Sequence, residues 1–283
     1  MQQCDIQWPR GLGGGDLVGA GTTAIVARLD AVIKFCQPWD SHFLDREKLV
    51  YERLGHDHQG IVRYFGVLDN AIVLQFARET SIRQYIGRQT RIPLHLKLRW
   101  AEQIFDAVQY VHSRGVLHGD ISCNNVFLDH NLNVKLGDFA GSSIDGCPPL
   151  VCYETSHELP GTDISAKTEL FALGSTVYEL MTGSKPYASV SDDQISAYFE
   201  ASRFPDVTVI PALRNTILKC WSQDYETISE ALQDIKLEVA TDKLSIFRHI
   251  VLFKRKSLLV PLILTLTSIL PFIGWAKRSS LLR

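Results

Sequence analysis

The spacing of hydrophobic and polar positions changes near Thr80. Before it, short apolar runs rich in β-branched and aromatic residues alternate with glycine and Asp-Asn turns, a pattern that predicts strands. Phe43–Leu54 has apolar residues at helical spacing and interrupts the strands. The first part of the chain therefore predicts a β-rich unit that contains one helix. The predicted strands are Val18–Gly21, Ala24–Leu29, Ala31–Phe35, Ile61–Leu68 and Ala71–Phe76.

Beyond Thr80 the apolar residues recur at helical spacing. Leu94–Ser113 carries one apolar stripe and is followed by Gly115, a residue type favoured just after a helix ends. Glu169–Thr182 is a second, strongly apolar helix, and Gly183 closes it. We expect an α+β fold with a small β-rich lobe over residues 17–76 and a larger helical lobe over residues 80–240.

Composition and charge narrow the class of protein. The chain has 283 residues, of which 46% are hydrophobic and 21% charged, and this composition is typical of a folded chain. Residues 243–283 contain eight basic residues and no acidic one, so they carry +8 and residues 1–242 carry −10. An acidic body argues against a nucleic-acid surface, because phosphate binding needs clustered lysine and arginine.

The cysteine spacing and the N-terminal residues bear on where in the cell the protein is expected. The six cysteines include no C-x-x-C pair, and residues 1–10 lack the basic and apolar stretches of a secretory signal. We therefore expect reduced thiols and a cytoplasmic location. Residues 1–16 are short, polar and glycine-rich, and we expect them to form a flexible leader.

A glycine-containing turn and a lysine follow in the first strands. Glycine lets backbone N–H groups approach phosphates, although a hairpin turn explains the same pattern. Lys34 lies in an apolar strand, where it either faces solvent or binds α/β-phosphates and pairs with a helix carboxylate. Glu47 is the expected partner and Glu52 the alternative. The residues of the turn that we expect at a nucleotide are Gly19, Ala20, Gly21, Thr22 and Val26.

A second polar cluster carries the stronger signal. The stretch from His118 to Asn125 contains Asp120, and Asp138 lies thirteen residues after Asn125. Phosphoryl transfer from Mg·ATP needs a carboxylate near the attacking hydroxyl and oxygen ligands for Mg²⁺. Asp120 fits the first role, and Asn125 and Asp138 fit the second.

Together these motifs resemble the protein kinase superfamily over roughly residues 17–238. The family motifs G-x-G-x-x-G-x-V, V-A-I-K, H-R-D-x-x-x-x-N and D-F-G have counterparts here in the same order. His-Gly-Asp-Ile-Ser and Gly-Asp-Phe-Ala-Gly are similar to a divergent group of fungal kinase-like proteins. The resemblance implies a two-lobed kinase fold and the cofactors ATP and Mg²⁺. It implies a catalytic set of Asp120, Lys34 and Asn125, and a metal site at Asn125 and Asp138. It also makes Leu74 the gatekeeper and places Gln75–Ala77 in the hinge that binds adenine.

Several positions depart from the family pattern. Ala24 stands for the third glycine, Gly119 for the arginine that meets an activation-loop phosphate, and Ser122 for the catalytic-loop lysine of Ser/Thr kinases. Ala140 replaces the DFG glycine, and Glu158-Leu159-Pro160 stands where the family has A-P-E. Switching by loop phosphorylation is therefore not expected in the usual form.

The leading function is a protein kinase that acts on a protein hydroxyl, of the Ser/Thr type by resemblance, with Asp120 as base. One alternative is a pseudokinase scaffold that binds nucleotide or a partner without turnover, which Ser122 and Gly119 support. Another is a small-molecule phosphotransferase of the aminoglycoside-kinase type, in which His-Gly-Asp followed by Asn also occurs. The kinase-like activation segment and the helix over Glu169–Gly183 argue against a small-molecule phosphotransferase.

The C-terminal part predicts a separate role. Ser257–Ala276 is twenty residues without a charge, and about 20 residues of helix span a hydrocarbon core of about 30 Å. Lys254-Arg255-Lys256 and Lys277-Arg278 bracket it, whereas Pro261 and Pro271 would kink a helix. We expect a membrane anchor that leaves the body cytoplasmic. A helix packed on the body, or sequence introduced by an incorrect gene structure, are the alternatives.

Overall fold

A computed structural model describes residues 16–241. Its secondary structure changes near Thr80 from mainly strands to mainly helices, as the spacing of hydrophobic residues predicts. The strands in these residues are β1 (Leu17–Ala20), β2 (Ile25–Ala27), β3 (Ala31–Phe35), β4 (Tyr64–Leu68), β5 (Ala71–Gln75), β6 (Val116–Leu117), β7 (Val126–Leu128), β8 (Val134–Leu136) and β9 (Ser143–Ile144). The helices are α1 (Ser41–Leu54), α2 (Ile82–Arg88), α3 (Leu94–Ser113), α4 (Ala166–Thr182), α5 (Asp192–Glu200), α6 (Arg214–Trp221) and α7 (residues 228–241).

The N-terminal strands form two separate sheets. β3, β5 and β4 form an antiparallel sheet in that order, and the register places Lys34 opposite Ile72. β1 and β2 pair only with each other in the described residues, as a two-stranded ribbon with an irregularity between Leu17 and Gly19. The ribbon is largely exposed. The turn that carries the glycines is therefore not fixed by the three-stranded sheet.

Helix α1 packs against this sheet with one face. Its buried residues are Glu47, Val50, Tyr51 and Leu54, a spacing of three and four that places them on one stripe. The helix ends at Gly55, whose φ of +65° lies in the left-handed region that favours glycine. A carboxylate thus shares the stripe with three apolar side chains and is buried with them.

The C-terminal lobe is built around α4. Ser165 caps its first turn in a reciprocal capping box with Thr168, and Gly183 ends it with a φ of +85°. Thirteen of its seventeen residues are buried, which a central helix requires. At Gly174 a Cβ would lie 2.7 Å from the Cβ of Cys220, so α4 and α6 approach more closely than any larger residue would allow.

The predicted α+β fold class is confirmed, because a strand-rich N-terminal part is followed by a helical C-terminal part. The exact domain boundaries remain predictions. The leader over residues 1–16 and the tail over residues 241–283, including the predicted membrane segment 257–276, lie outside the described residues except for Asp16 and Thr241. Between residues 16 and 241, none of the helices has the length and apolar character needed to cross a membrane.

Candidate active site

A cavity of about 660 Å³ lies between the three-stranded sheet and the segment that follows α3. Val62, Leu74 and Phe127 contribute apolar walls, which suit the flat face of a base. Eight of the residues that the sequence predicts for the site line this cavity. They are Lys34, Glu47, Leu74, Gln75, Phe76, Ala77, Asn125 and Asp138.

Lys34 is the centre of the charged part of the cavity. Its Nζ lies 2.6 Å from Glu47 Oε2 and 2.7 Å from Asp138 Oδ1. Glu47 is fully buried, and its Oε1 accepts a hydrogen bond from the Phe139 N–H at 3.3 Å. β3, α1 and the segment after β8 therefore meet at one ammonium group, and the partner is Glu47 rather than Glu52.

Burial and charge act against each other at this pair. Burial disfavours the ammonium of Lys34, but the carboxylates of Glu47 and Asp138 outweigh it and raise the pKa of Lys34. Burial raises the pKa of the Glu47 carboxyl, and Lys34 offsets part of that effect. Two carboxylates sharing one lysine leave the lysine firmly charged at neutral pH.

The catalytic-loop candidates lie on the turn that follows β6. The Asn125 side-chain N–H group donates to both the backbone oxygen and the Oδ2 of Asp120, at 2.8 Å each. The Gly119 N–H donates to Glu169 Oε1 on α4 at 2.8 Å, and His112 contacts the other oxygen of the same carboxylate. Glu169 thus anchors the loop to α4.

Asp120 lies beside the cavity, although it is not among the residues that line it. Burial raises the pKa of its carboxyl above the ordinary value, and the charges of Glu154 and Asp138 act in the same direction. His118 and the hydrogen bond from Asn125 oppose this shift. A carboxylate with a raised pKa is a better proton acceptor than an ordinary one.

The segment around Asp138 is held by close packing. A Cβ at Gly137 would lie 2.7 Å from Val62, so the strand end can approach the cavity wall only with glycine there. Phe139 is fully buried and packs edge-on against Tyr51 of α1, with ring centroids 5.2 Å apart. This packing places Asp138 next to Lys34 and ties it to the helix that carries Glu47.

The glycine turn is not brought into the cavity. Gly19, Ala20, Gly21, Thr22 and Val26 are not among its lining residues, and most of them are exposed. Gly21 N–H donates to Ala24 O at 2.8 Å, which closes the turn as a hairpin. The geometry agrees with the hairpin explanation for this turn, and its nucleotide role remains a prediction.

At the hinge, two backbone groups are already used. The Gln75 N–H donates to Arg63 O at 2.8 Å, and the Phe76 N–H donates to Asp30 O at 3.1 Å. Ala77 follows them and lines the cavity. Of the predicted hinge residues, Ala77 is therefore the one whose backbone N–H is expected to face a base.

The sequence did not reveal a partly buried charge cluster next to the catalytic loop. Arg83 of α2 binds Glu179 of α4 at 2.7 and 2.9 Å and Glu154 at 2.5 and 3.2 Å. Lys185 lies 3.1 Å from Glu154, and His157 is fully buried with its Nε2 3.8 Å from Glu179. Arg83, a residue type common on helix surfaces, carried no spacing signal that would have marked it.

Comparison with known proteins agrees with this geometry. The profile of the protein kinase domain matches residues 36–238. The chain belongs to the protein kinase family. The matched range includes the catalytic loop and Asp138, whereas Lys34 and the glycine turn lie just before it.

Three members of the family have named activities. Serine/threonine-protein kinase PrkC of Bacillus subtilis (strain 168) is 26% identical over 239 residues, covering 76% of this chain and 37% of that protein. Serine/threonine/tyrosine-protein kinase HT1 of Arabidopsis thaliana is 26% identical over 224 residues, covering 70% and 56%. Mitogen-activated protein kinase kinase kinase 1 of Arabidopsis thaliana is 29% identical over 185 residues, covering 58% and 29%. The chain thus spans between 29% and 56% of the length of these relatives.

Proposed function

We propose that this protein kinase family member is an active, ATP- and Mg²⁺-dependent enzyme that phosphorylates a hydroxyl of a protein substrate. The observation that carries the proposal is the joining of Lys34, Glu47 and Asp138 at one cavity, with Asp120 and Asn125 hydrogen-bonded beside it. These are the groups that phosphoryl transfer from Mg·ATP requires.

The residues present fit the two cofactors. Asp138 and Asn125 offer the carboxylate and amide oxygens that Mg²⁺ prefers, and they would hold the metal, which when bound neutralises phosphate charge. Lys34 would bind the α/β-phosphates, and its ion pair with Glu47 would keep its ammonium oriented. The backbone of Ala77 would bond the base, and Leu74 would contribute to the apolar wall.

Asp120 acts as the base in this proposal. Its carboxylate accepts the proton of the substrate hydroxyl while the hydroxyl oxygen bonds to the γ-phosphorus and the bond to the β-phosphate oxygen breaks, which releases ADP. Asn125 fixes the carboxylate through its bond to Oδ2. Ser122 supplies no positive charge where the family pattern has lysine, so transfer is expected to be slower than in kinases that have one.

Relatives with serine/threonine in their names favour a Ser/Thr hydroxyl as acceptor, and HT1 extends the choice to tyrosine. Substrate peptides that offer serine, threonine and tyrosine in the same surroundings should therefore be tested side by side. We expect transfer to serine and threonine. Small alcohols in the same assay test for a small-molecule phosphotransferase.

Asp120→Asn is the decisive variant. An asparagine oxygen can still accept the bond from Asn125, so the fold is expected to persist while the base is lost. Transfer of labelled γ-phosphate should fall by about 10²-fold or more. Asp106→Asn, which removes a half-exposed carboxylate of α3 that binds His58, is the matched control and should keep full activity. Equal activity of the wild type and Asp120→Asn would refute the role of Asp120.

A pseudokinase would give a different pair of results. Mg·ATP at about 100 times its dissociation constant stabilises a protein by about 2.7 kcal/mol, which a thermal-shift titration detects as a higher melting temperature. Such a shift without transfer in the wild type would favour a nucleotide-binding scaffold. Absence of both the thermal shift and phosphate transfer would exclude the nucleotide site itself.

A further inference from the structure

Two arginines of α1 reach across to the segment that follows Asp138. Arg46 Nη1 donates to the backbone oxygens of Ser142 and Pro148, at 2.5 and 2.9 Å. Arg53 forms a two-pronged bond to Asp145, with Nη1 to Oδ1 at 3.0 Å and Nη2 to Oδ2 at 2.6 Å. The contacted residues form a small hairpin over residues 142–148, which we name the latch hairpin.

The latch hairpin has a defined shape of its own. β9 pairs with β6, and the Cys147 N–H donates to Ile144 O at 2.9 Å to close the turn. Asp145 and Gly146 at the tip have φ of +53° and +75°, a pair of left-handed residues that suits a two-residue hairpin turn. The carboxylate of Asp145 is therefore held at a fixed position toward α1.

The hairpin also rests on the catalytic loop. Ser142 Oγ donates to His118 O at 2.9 Å, and β6 leads directly into His118. Any displacement of the hairpin is therefore transmitted both to the loop that carries Asp120 and, through the arginines, to α1.

The arginines share a helix with Glu47. Arg46 and Arg53 are seven residues apart, about two turns, so they lie on one stripe of α1. Glu47 follows Arg46 directly and projects onto the buried side, where it meets Lys34. α1 is thus held between the lysine of β3 on one side and the latch hairpin on the other.

The negative charge at the tip of the latch hairpin is the side-chain carboxylate of Asp145. The hydrogen bond from Arg53 lowers the pKa of the Asp145 carboxyl, so the pair is charged at neutral pH. Gly119 offers no guanidinium next to Asp120, and its N–H is already bound to Glu169. The contacts that order this segment are a carboxylate and backbone oxygens, and none requires a phosphate.

We propose that Arg46 and Arg53 are positioning residues that keep Glu47 in its pair with Lys34 by tying α1 to the latch hairpin, with Asp145 as a permanent negative charge at its tip. The proposal rests on the proposed kinase activity for its kinetic test. Its structural consequence, coupled order of α1 and the hairpin, can be measured without activity.

The kinetic test is a double-mutant cycle with Glu47. If the arginines act through Glu47, Arg46→Ala/Arg53→Ala should lower kcat/KM for ATP by about tenfold in the wild-type background and by less than about twofold in the Glu47→Gln background. An equal loss in both backgrounds would show a general structural role and overturn the proposal. Glu52→Gln, which loosens only the exposed pair with Lys48 on the same helix, is the control and should leave kcat/KM unchanged.

Rescue variants and phosphatase treatment test the assignment further. Asp145→Asn keeps a residue that tolerates the left-handed tip but removes its charge. Apart from its 3.4 Å bond to Arg114 O, Arg53 then loses its charged partner, so Arg53→Ala should have a smaller effect in the Asp145→Asn background than in the wild type. Arg46→Lys should restore at least part of the activity lost in Arg46→Ala. Phosphatase treatment of the wild type should leave its activity unchanged, and a loss of activity would assign the order of the segment to a phosphate instead.

Hydrogen–deuterium exchange separates this proposal from the proposed function. In Arg46→Ala/Arg53→Ala, amides of both α1 and residues 142–148 should exchange faster than in wild type, while those of α6 should not change. Faster exchange confined to the hairpin would refute the coupling. A wild type that transfers no phosphate would refute the proposed function, and the exchange result would still decide whether the arginines couple the two elements.

Discussion

Protonation of His157 should make the stability of this protein fall steeply between pH 7 and pH 5. The ring is fully buried in the short 3-10 turn Thr155–His157, where Nδ1 contacts Ser156 Oγ at 3.0 Å. Burial lowers the pKa of His157 to about 3, against the usual value of about 6.5 in an unfolded chain. Between these two values the unfolded state binds a proton that the folded state does not, so stability decreases as pH falls.

The size of the effect follows from the two pKa values. Between the folded-state and unfolded-state pKa values, each pH unit lowers the free energy of unfolding by at most about 1.4 kcal/mol. Because this interval begins near pH 6.5, lowering the pH from 7 to 5 reduces the free energy of unfolding by about 2 kcal/mol. Any folded-state pKa below about 4 gives the same figure. Glu154 has a pKa lowered to about 2, because bonds from Arg83 outweigh its burial, and its contribution is lost only below about pH 4.5. The interval from pH 7 to 5 therefore isolates His157 from Glu154.

Urea unfolding at pH 7 and pH 5 measures the effect. His157→Gln removes the titrating ring, so the free energy of unfolding of the wild type should change by about 2 kcal/mol more between the two pH values than that of the variant. His95→Gln, which removes an exposed histidine from α3, controls for loss of an imidazole and should retain the wild-type difference. Equal pH dependence in wild type and His157→Gln would refute the reasoning. So would an NMR signal of the His157 ring that titrates between pH 7 and pH 5 in the folded wild type.

Three further outcomes are expected. Glu47→Gln leaves Lys34 with Asp138 alone and should lower kcat/KM for ATP by about tenfold or more in steady-state kinetics, whereas Glu52→Gln should not. Because the pKa of Asp120 is raised, phosphoryl transfer should decline with falling pH through a midpoint above the usual value of about 4, and a profile flat down to pH 4 would contradict this. Residues 257–276 should keep the full chain in the membrane fraction after alkaline carbonate washing, and release into the supernatant would exclude a spanning segment.

The meeting of Lys34, Asn125 and Asp138 at one cavity could be expected from the sequence, because each belongs to a short motif with its own local cause. Gly137 precedes Asp138 since a Cβ there would meet Val62, and Asn125 follows Asp120 at the spacing that lets its amide reach back to the carboxylate. Helix ends were predictable for a similar reason, since Gly115 and Gly183 adopt the left-handed conformation that their residue type favours. Local chemistry of this kind is visible within a few residues.

The contacts that join distant segments could not be predicted in this way. Arg53 and Asp145 are 92 residues apart, and Arg83 and Glu179 are 96 apart. The first pairing depends on how the two lobes pack, and the second on how α2 packs against α4 within the helical lobe. An arginine on a helix usually faces solvent, and nothing in the sequence distinguishes these from Arg88 or Arg99. The separation of the β1–β2 ribbon from β3 was also unpredictable. Whether these strands pair depends on the short link at residues 28–30, in which Asp30 forms an ion pair with Arg78.

Charge in the cavity explains why the positioning of α1 matters so much here. Among the residues that line it, Lys34 is the one cation, and it is shared by Glu47 and Asp138, so the lining carries a net negative charge before a nucleotide arrives. Ser122 adds no compensating cation from the catalytic loop. A nucleotide with several negative charges therefore depends on Lys34 being presented at the correct place, since a small displacement weakens its contact with the one cationic side chain of the lining. Two arginines that fix α1 from its outer side, out of the cavity, can stabilise this arrangement without competing with Lys34 for its carboxylates.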